Sequence, residues 1–89
     1  MKNIFITGCN GNLSQGLISF LSSQNYAISG CDLDLEDSLR TIKTKASNFK
    51  SYYRCDISNK NEIESLFEVL KREANFPEIL INNAAIDFV

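Results

Sequence analysis

Short runs of apolar, β-branched and aromatic residues recur along the chain, separated by segments whose apolar residues fall at helical intervals. The stretch over 2–7 holds Ile4-Phe5-Ile6 and ends at Gly8, a composition that predicts a buried parallel strand. Leu13, Leu17, Phe20 and Leu21 follow at i, i+4, i+7 and i+8. They predict a helix over 12–23 with that row on its inner face, ended by Gln24-Asn25. A second strand is expected over 26–32. A weaker helical pattern runs over 35–46, with Leu35, Leu39 and Ile42 on one face. Its first turn holds Glu36 and Asp37 and its last turn Lys43 and Lys45, the polarity that a helix dipole favours. A third strand is expected over 51–57. Ser58 then stands as an N-cap before the strongest helical pattern of the chain, Ile63, Leu66, Phe67 and Leu70. Lys71 and Arg72 fall in its last turns and Pro77 interrupts. Ile79-Leu80-Ile81-Asn82 is a fourth strand, continuously apolar as parallel strands are.

Strand and helix therefore alternate as βαβαβαβ. Right-handed crossovers and short connections turn that pattern into an α/β fold, a Rossmann-like three-layer αβα half-sheet with parallel strands in the order 3-2-1-4. The order reverses between the first and fourth strands. Ligands of such sheets bind outside the carboxyl ends of the strands at the reversal.

The chain has 89 residues, room for one small domain, without an internal repeat, a low-complexity segment or a linker. Hydrophobic residues make up 44% and charged residues 22%, an ordinary globular balance. A net charge of -2 gives no reason to expect nucleic acid or an anionic membrane surface as partner. The apolar runs are far too short to span a bilayer. With no signal-peptide pattern and an odd number of cysteines, the expectation is a cytoplasmic protein with reduced thiols. The absence of histidine removes the commonest general base and the commonest metal ligand, and no metal site is expected.

The candidate chemistry gathers at the carboxyl ends of the expected strands. Thr7-Gly8-Cys9-Asn10-Gly11-Asn12-Leu13-Ser14 joins a strand to a helix. The glycines permit a sharp turn and a close approach, and a helix N-terminus presents free N–H groups to an anion. By itself such a turn is equally a plain strand-to-helix connection. Asp32 ends the second strand 24 residues beyond Gly8, where a carboxylate can accept both hydrogen bonds of an adenosine ribose. It could also serve a turn or a helix start, but the glycine turn upstream favours the ribose. No lysine or arginine lies within three residues to receive a 2′-phosphate, so NAD is expected over NADP. Asp56 could face an adenine edge or serve as a turn residue. Cys9, Cys31 and Cys55 are expected as small buried residues that leave room for a cofactor, with Cys31 and Cys55 facing away from Asp32 and Asp56.

These residues, together with Cys55-Asp56-Ile57-Ser58 and Ile81-Asn82-Asn83-Ala84-Ala85, resemble the N-terminal third of a short-chain dehydrogenase/reductase. The last segment is similar to that family's Asn-Asn-Ala-Gly motif. The resemblance covers essentially the whole chain. It implies that Gly8, Asn10, Gly11, Asn12 and Leu13 hold the pyrophosphate side of the cofactor. It further implies that Asp32 binds the ribose, that Asp56 and Ile57 flank the adenine, and that Asn83 and Ala84 pass close to the cofactor. Two departures stand out: Asn12 and Ser14 occupy positions of family glycines, from which a looser cofactor fit is expected. The turn also matches the family's sugar-nucleotide epimerase branch at Gly8 and Gly11, an alternative that Asn82-Asn83-Ala84-Ala85 disfavours.

The family's catalytic Ser, Tyr and Lys have no counterpart here. Tyr26, Tyr52 and Tyr53 have no lysine four residues on. The resemblance therefore implies the cofactor-binding portion of an enzyme for hydride transfer between nicotinamide and an alcohol or carbonyl carbon, truncated before the catalytic segment. In the order 3-2-1-4 the fourth strand is an apolar edge, a feature that suits pairing with another chain or a second copy and supports the alternative of a non-catalytic interaction module.

Overall fold

The structure, a computed structural model, describes residues 2–33 and 48–83. Four parallel strands form one sheet: β1 (Asn3–Thr7), β2 (Ala27–Asp32), β3 (Phe49–Arg54) and β4 (Ile79–Asn82), in the order β3-β2-β1-β4. Helices α1 (Asn12–Ser23) and α2 (Lys60–Arg72) connect β1 to β2 and β3 to β4. The helix expected over 35–46 lies outside the described residues, as does Ala84.

β1 is buried on both faces because it lies between β2 and β4 with a helix on each side. Ile4 and Ile6 pack with Ile18 of α1, Ile28 and Phe49. Phe5 points the other way and packs with Cys31, Cys55 and Leu70 of α2. Ile6, Ile18, Ile28, Phe49 and Leu70 are all less than 2% exposed, and such burial contributes roughly 1.5–3 kcal/mol for each large side chain.

The row expected to face the sheet from α1 is only half right. Leu17 and Leu21 pack on the core, but Leu13 is 76% and Phe20 60% exposed, while Ile18 and Ser14 are fully buried. At about 100° per residue, Phe20 and Leu13 lie at one flank of the apolar arc and Ser14 and Ile18 at the other. The sheet meets the second flank. α1 then ends as expected: Asn25 takes a left-handed φ of 67°, and the N–H of Tyr26 donates to the Leu21 carbonyl at 3.3 Å.

β3 begins earlier and stops sooner than the expected 51–57. Its bounds follow its partner: Phe49 pairs with Ile28 and Arg54 with Asp32, the last residue of β2, with a register shift after Ile28. Phe49 is 1% exposed and belongs to the core. The N-cap of α2 is Asn59 in place of Ser58. Asn59 Oδ1 accepts the N–H groups of Asn61 and Glu62 at 3.0 and 3.2 Å. Ser58 is engaged elsewhere, since its N–H and hydroxyl both donate to Asp56 Oδ1.

β4 is the edge of the described sheet. Leu80 is 53% exposed and, with Phe5, Leu66 and Phe67, borders an apolar hollow of about 270 Å³ between α2 and the strand. Thr7 pairs with Cys31 on one side and Asn82 on the other, so the carboxyl ends of β1, β2 and β4 are level. β3 ends level with Asp32.

Candidate functional site: a cleft at the carboxyl ends of the strands

The turn after β1 folds back at Gly8, whose φ of 67° is a left-handed conformation that suits glycine. From there the turn is tied to both neighbouring strands. Towards β2, the Cys9 N–H donates to the Cys31 carbonyl at 3.1 Å and the Asn10 N–H to Asp32 Oδ2 at 2.9 Å. Towards β4, the Asn83 N–H donates to Thr7 Oγ1 at 3.1 Å and the Asn83 amide donates to the Gly8 carbonyl at 3.4 Å. The Gly11 N–H closes the turn on the Gly8 carbonyl at 3.3 Å.

Beside this turn opens a cleft of about 500 Å³, lined by Gly8 and Gly11, by Cys31, Asp32 and Leu33 after β2, by Cys55, Asp56, Ile57 and Ser58 after β3, and by Asn83 after β4. Its size suits a small-molecule ligand. Six of the predicted residues meet there: Gly8, Gly11, Asp32, Asp56, Ile57 and Asn83. Asn10 joins them through its N–H on Asp32. Asn12 is the first residue of α1. Leu13 stands exposed on the first turn of α1, outside the cleft wall.

The two helix starts differ in a way that bears on an anion. Asn59 caps α2, and Glu62 lies in its first turn. α1 has Gly11 at its N-cap, with no side-chain cap and no acidic residue in the first turn. Its positive end therefore lies open beside the glycine turn, the arrangement that binds a phosphate.

Asp32 spends two of its lone pairs on backbone, one on Asn10 and one on the Leu33 N–H at 2.7 Å. A carboxylate retains further acceptor sites for the hydroxyls of a ribose. Asp56 plays the turn role by accepting both donors of Ser58. Those two hydrogen bonds, the hydroxyl first, hold its carboxyl below the usual range, so it is ionised at neutral pH. It also lines the cleft. Among the described lining residues there is no lysine or arginine. Arg54 sits next to Asp32 in the register, but its guanidinium is held by Glu62 at 3.1 Å.

Cys31 and Cys55 line the cleft and were expected only as buried space-fillers. Burial first, then the neighbouring Cys55 and Asp32, push the Cys31 thiol up to about 12, and burial raises Cys55 as well. Both are therefore protonated, weak nucleophiles at neutral pH. Ser14 was expected only as a stand-in for glycine. It is fully buried, and its hydroxyl donates to the Gly8 carbonyl at 2.7 Å and accepts from the Asn83 amide. The sequence carries no signal for this role, because periodicity does not say which flank of the apolar arc meets the sheet. Chemically, the open start of α1 suits an anion, and the carboxylates of Asp32 and Asp56 suit the hydroxyls of a diol.

No family model matches the chain. The diacetyl reductase [(S)-acetoin forming] of Staphylococcus epidermidis is 30% identical over 90 residues, which covers 99% of this chain and 35% of that protein. The human dehydrogenase/reductase SDR family member 11 is 28% identical over 89 residues, covering 91% and 33%. The solved structure of 4-hydroxyisoleucine dehydrogenase complexed with NADH superposes with a TM-score of 0.81 at 27% identity, covering 97% of this chain and 35% of that one. In sequence and fold the chain is similar to short-chain dehydrogenases/reductases, and it spans about a third of the length of the relatives it matches. The four-strand order and the glycine turn at the reversal of the sheet are thus the family's Rossmann-like architecture. No helix among the described residues is long and apolar enough to cross a membrane.

Proposed function

We propose that this chain binds a nicotinamide adenine dinucleotide in the cleft, and NAD in preference to NADP. In this reading Gly8, Asn10, Gly11, Asn12 and Leu13, with the open start of α1, hold the pyrophosphate. Asp32 receives the adenosine ribose, Asp56 and Ile57 border the adenine, and Asn83 and Ala84 run beside the nicotinamide half. The observation that carries the reading is Asp32, fixed at the cleft wall by the Asn10 and Leu33 N–H groups, in a lining without a described basic residue. Among the described lining residues a 2′-phosphate placed there would meet two carboxylates and no cation, a repulsive arrangement in a partly desolvated site.

The bound dinucleotide would supply or accept a hydride, with an alcohol or carbonyl carbon as the other reactant. The 89 residues contain no Tyr-x-x-x-Lys pattern. The proton transfer therefore falls to residues beyond these 89, and the domain is partial in this sense. The apolar edge of β4 supports the same view, because another strand laid beside Leu80 would cover the hollow above it.

Titration with NADH and NADPH, followed by the fluorescence of the reduced nicotinamide, tests the proposal. NADH is expected to bind at least about tenfold more tightly, a gap of about 1.4 kcal/mol. Equal or tighter binding of NADPH would reverse the preference, and no binding of either would remove the dinucleotide reading.

A further inference from the structure

We infer that Ser14 is a positioning residue that latches the glycine turn to the end of β4. The inference rests on the dinucleotide reading for its ligand, and on geometry alone for the latch. The Gly8 carbonyl is the hub. It accepts the Ser14 hydroxyl at 2.7 Å, the Gly11 N–H at 3.3 Å and the Asn83 amide at 3.4 Å. The same Asn83 amide donates to Ser14 Oγ, and the Asn83 N–H donates to Thr7 Oγ1 at 3.1 Å. One hydroxyl thus gives its proton to the turn and a lone pair to the residue that follows β4. It does so from a fully buried position on the first turn of α1.

A glycine at position 14 could make neither bond. Glycine at that position lets a helix approach a strand closely. Serine keeps that approach and adds a polar tie, because the space beside the Gly8 carbonyl admits an oxygen. The tie fixes the plane of the Gly8 peptide. That plane helps set the direction of the turn's N–H groups and the path of the chain into α1. Ser14 therefore organises the phosphate side of the cleft without lining it, and it joins that side to Asn83 across the reversal of the sheet.

The test uses Ser14→Ala, which keeps helix propensity, and Ser14→Gly, which restores the family's residue. Calorimetric titration with NADH, ADP and adenosine separates positioning from general weakening. Both variants are expected to bind NADH and ADP more weakly by up to about tenfold, while adenosine, which lacks phosphate, binds within about twofold of the parent. Equal losses for all three ligands, or no loss for any, would overturn the positioning role. The latch is judged separately by thermal unfolding of Ser14→Ala, Asn83→Ala and the double variant without ligand. The double variant is expected to lose less than the sum of the single losses by about 3 °C. Strict additivity would overturn the latch even if the parent binds NADH. Coupling in a parent that binds no NADH would uphold the latch and count against the dinucleotide reading alone.

Discussion

Gly30 and Cys9 share one notch in the fold. A Cβ added to Gly30 would stand 2.7 Å from Cys9 Cβ, 2.9 Å from its sulfur and 2.6 Å from the Ile6 carbonyl oxygen. Gly30 is paired with Ile6 in the register, so the carbonyl cannot recede without opening β1 from β2. Cys9 is the second residue of the glycine turn and is fully buried. Its side chain therefore seats the turn on β2 through the space that Gly30 leaves. Gly30→Ala should destabilise the chain by about 2–3 kcal/mol in urea unfolding, as expected for overpacking against backbone. Adding Cys9→Ala should recover only a small part of the loss, since it removes the sulfur alone and leaves both the Cβ of residue 9 and the Ile6 carbonyl in place. A loss below about 0.5 kcal/mol would show that the two strands separate readily.

The cap of α2 gives a second measurable quantity. Asn59→Ala removes the acceptor for two first-turn N–H groups and should reduce stability by about 1 kcal/mol. Ser58→Ala removes a donor to Asp56 at the surface and should cost less, because the Ser58 N–H still donates to that carboxylate. The reverse ranking in chemical denaturation would return the cap to Ser58.

These two sites show where the sequence could be read and where it could not. The strand order followed from alternation and crossover handedness, and the end of α1 from an Asn that tolerates a left-handed φ. Gly8, Gly11, Asp32, Asp56 and Asn83 were found because each stands at a strand end, and parallel strands bring such ends together. Periodicity locates the apolar arc of α1 but not which flank the sheet meets, so the apolar row alone points Leu13 and Phe20 inward and gives Ser14 no role. Ser58 and Asn59 are both competent caps. The choice was made by Asp56, whose carboxylate captures Ser58 only once the turn has formed. The bond between Ser14 and Gly8 likewise exists only in the folded turn, so residue type alone gave no sign of it.

The buried thiols make stability fall at high pH. Cys31 keeps its proton up to about 12 in the fold against an ordinary 9.0, first because it is buried and then because Cys55 and Asp32 lie close. Its folded value is raised, so its contribution is complete below about 9 and is lost as the pH rises towards about 12, where the unfolded chain releases the proton first. Cys55 and Tyr53 are raised in the same direction, also by burial first. The unfolding midpoint in urea should therefore drop between pH 8.5 and pH 10.5, and Cys31→Ala should lessen the drop. A midpoint that is flat over that interval would contradict the assignment. In the native chain at pH 8, thiol reagents should label Cys9, Cys31 and Cys55 slowly compared with the denatured chain, since all three are buried.

On the dinucleotide reading proposed above, Asp32 ties the specificity of the cleft to the shape of its glycine turn. Its Oδ2 is the acceptor for the Asn10 N–H, so a substitution there would act on the ligand and on the loop together. Asp32→Ala should lower NADH affinity by about tenfold or more, the loss expected for charge-assisted hydrogen bonds to a ribose. NADPH should lose less, because the same change removes a charge that repels its 2′-phosphate, and the gap between the two ligands should narrow. Ligand-free stability should fall by about 1–2 kcal/mol, since the Asn10 and Leu33 N–H groups lose their acceptor. Asp32→Asn should lie between parent and Asp32→Ala in stability: its amide oxygen can accept one of these N–H groups, while its NH₂ faces the other. Parallel titrations with the two reduced dinucleotides and a urea melt decide the point. A stability loss with an unchanged NADH-to-NADPH ratio would leave Asp32 as a brace for the turn and remove it from cofactor selection.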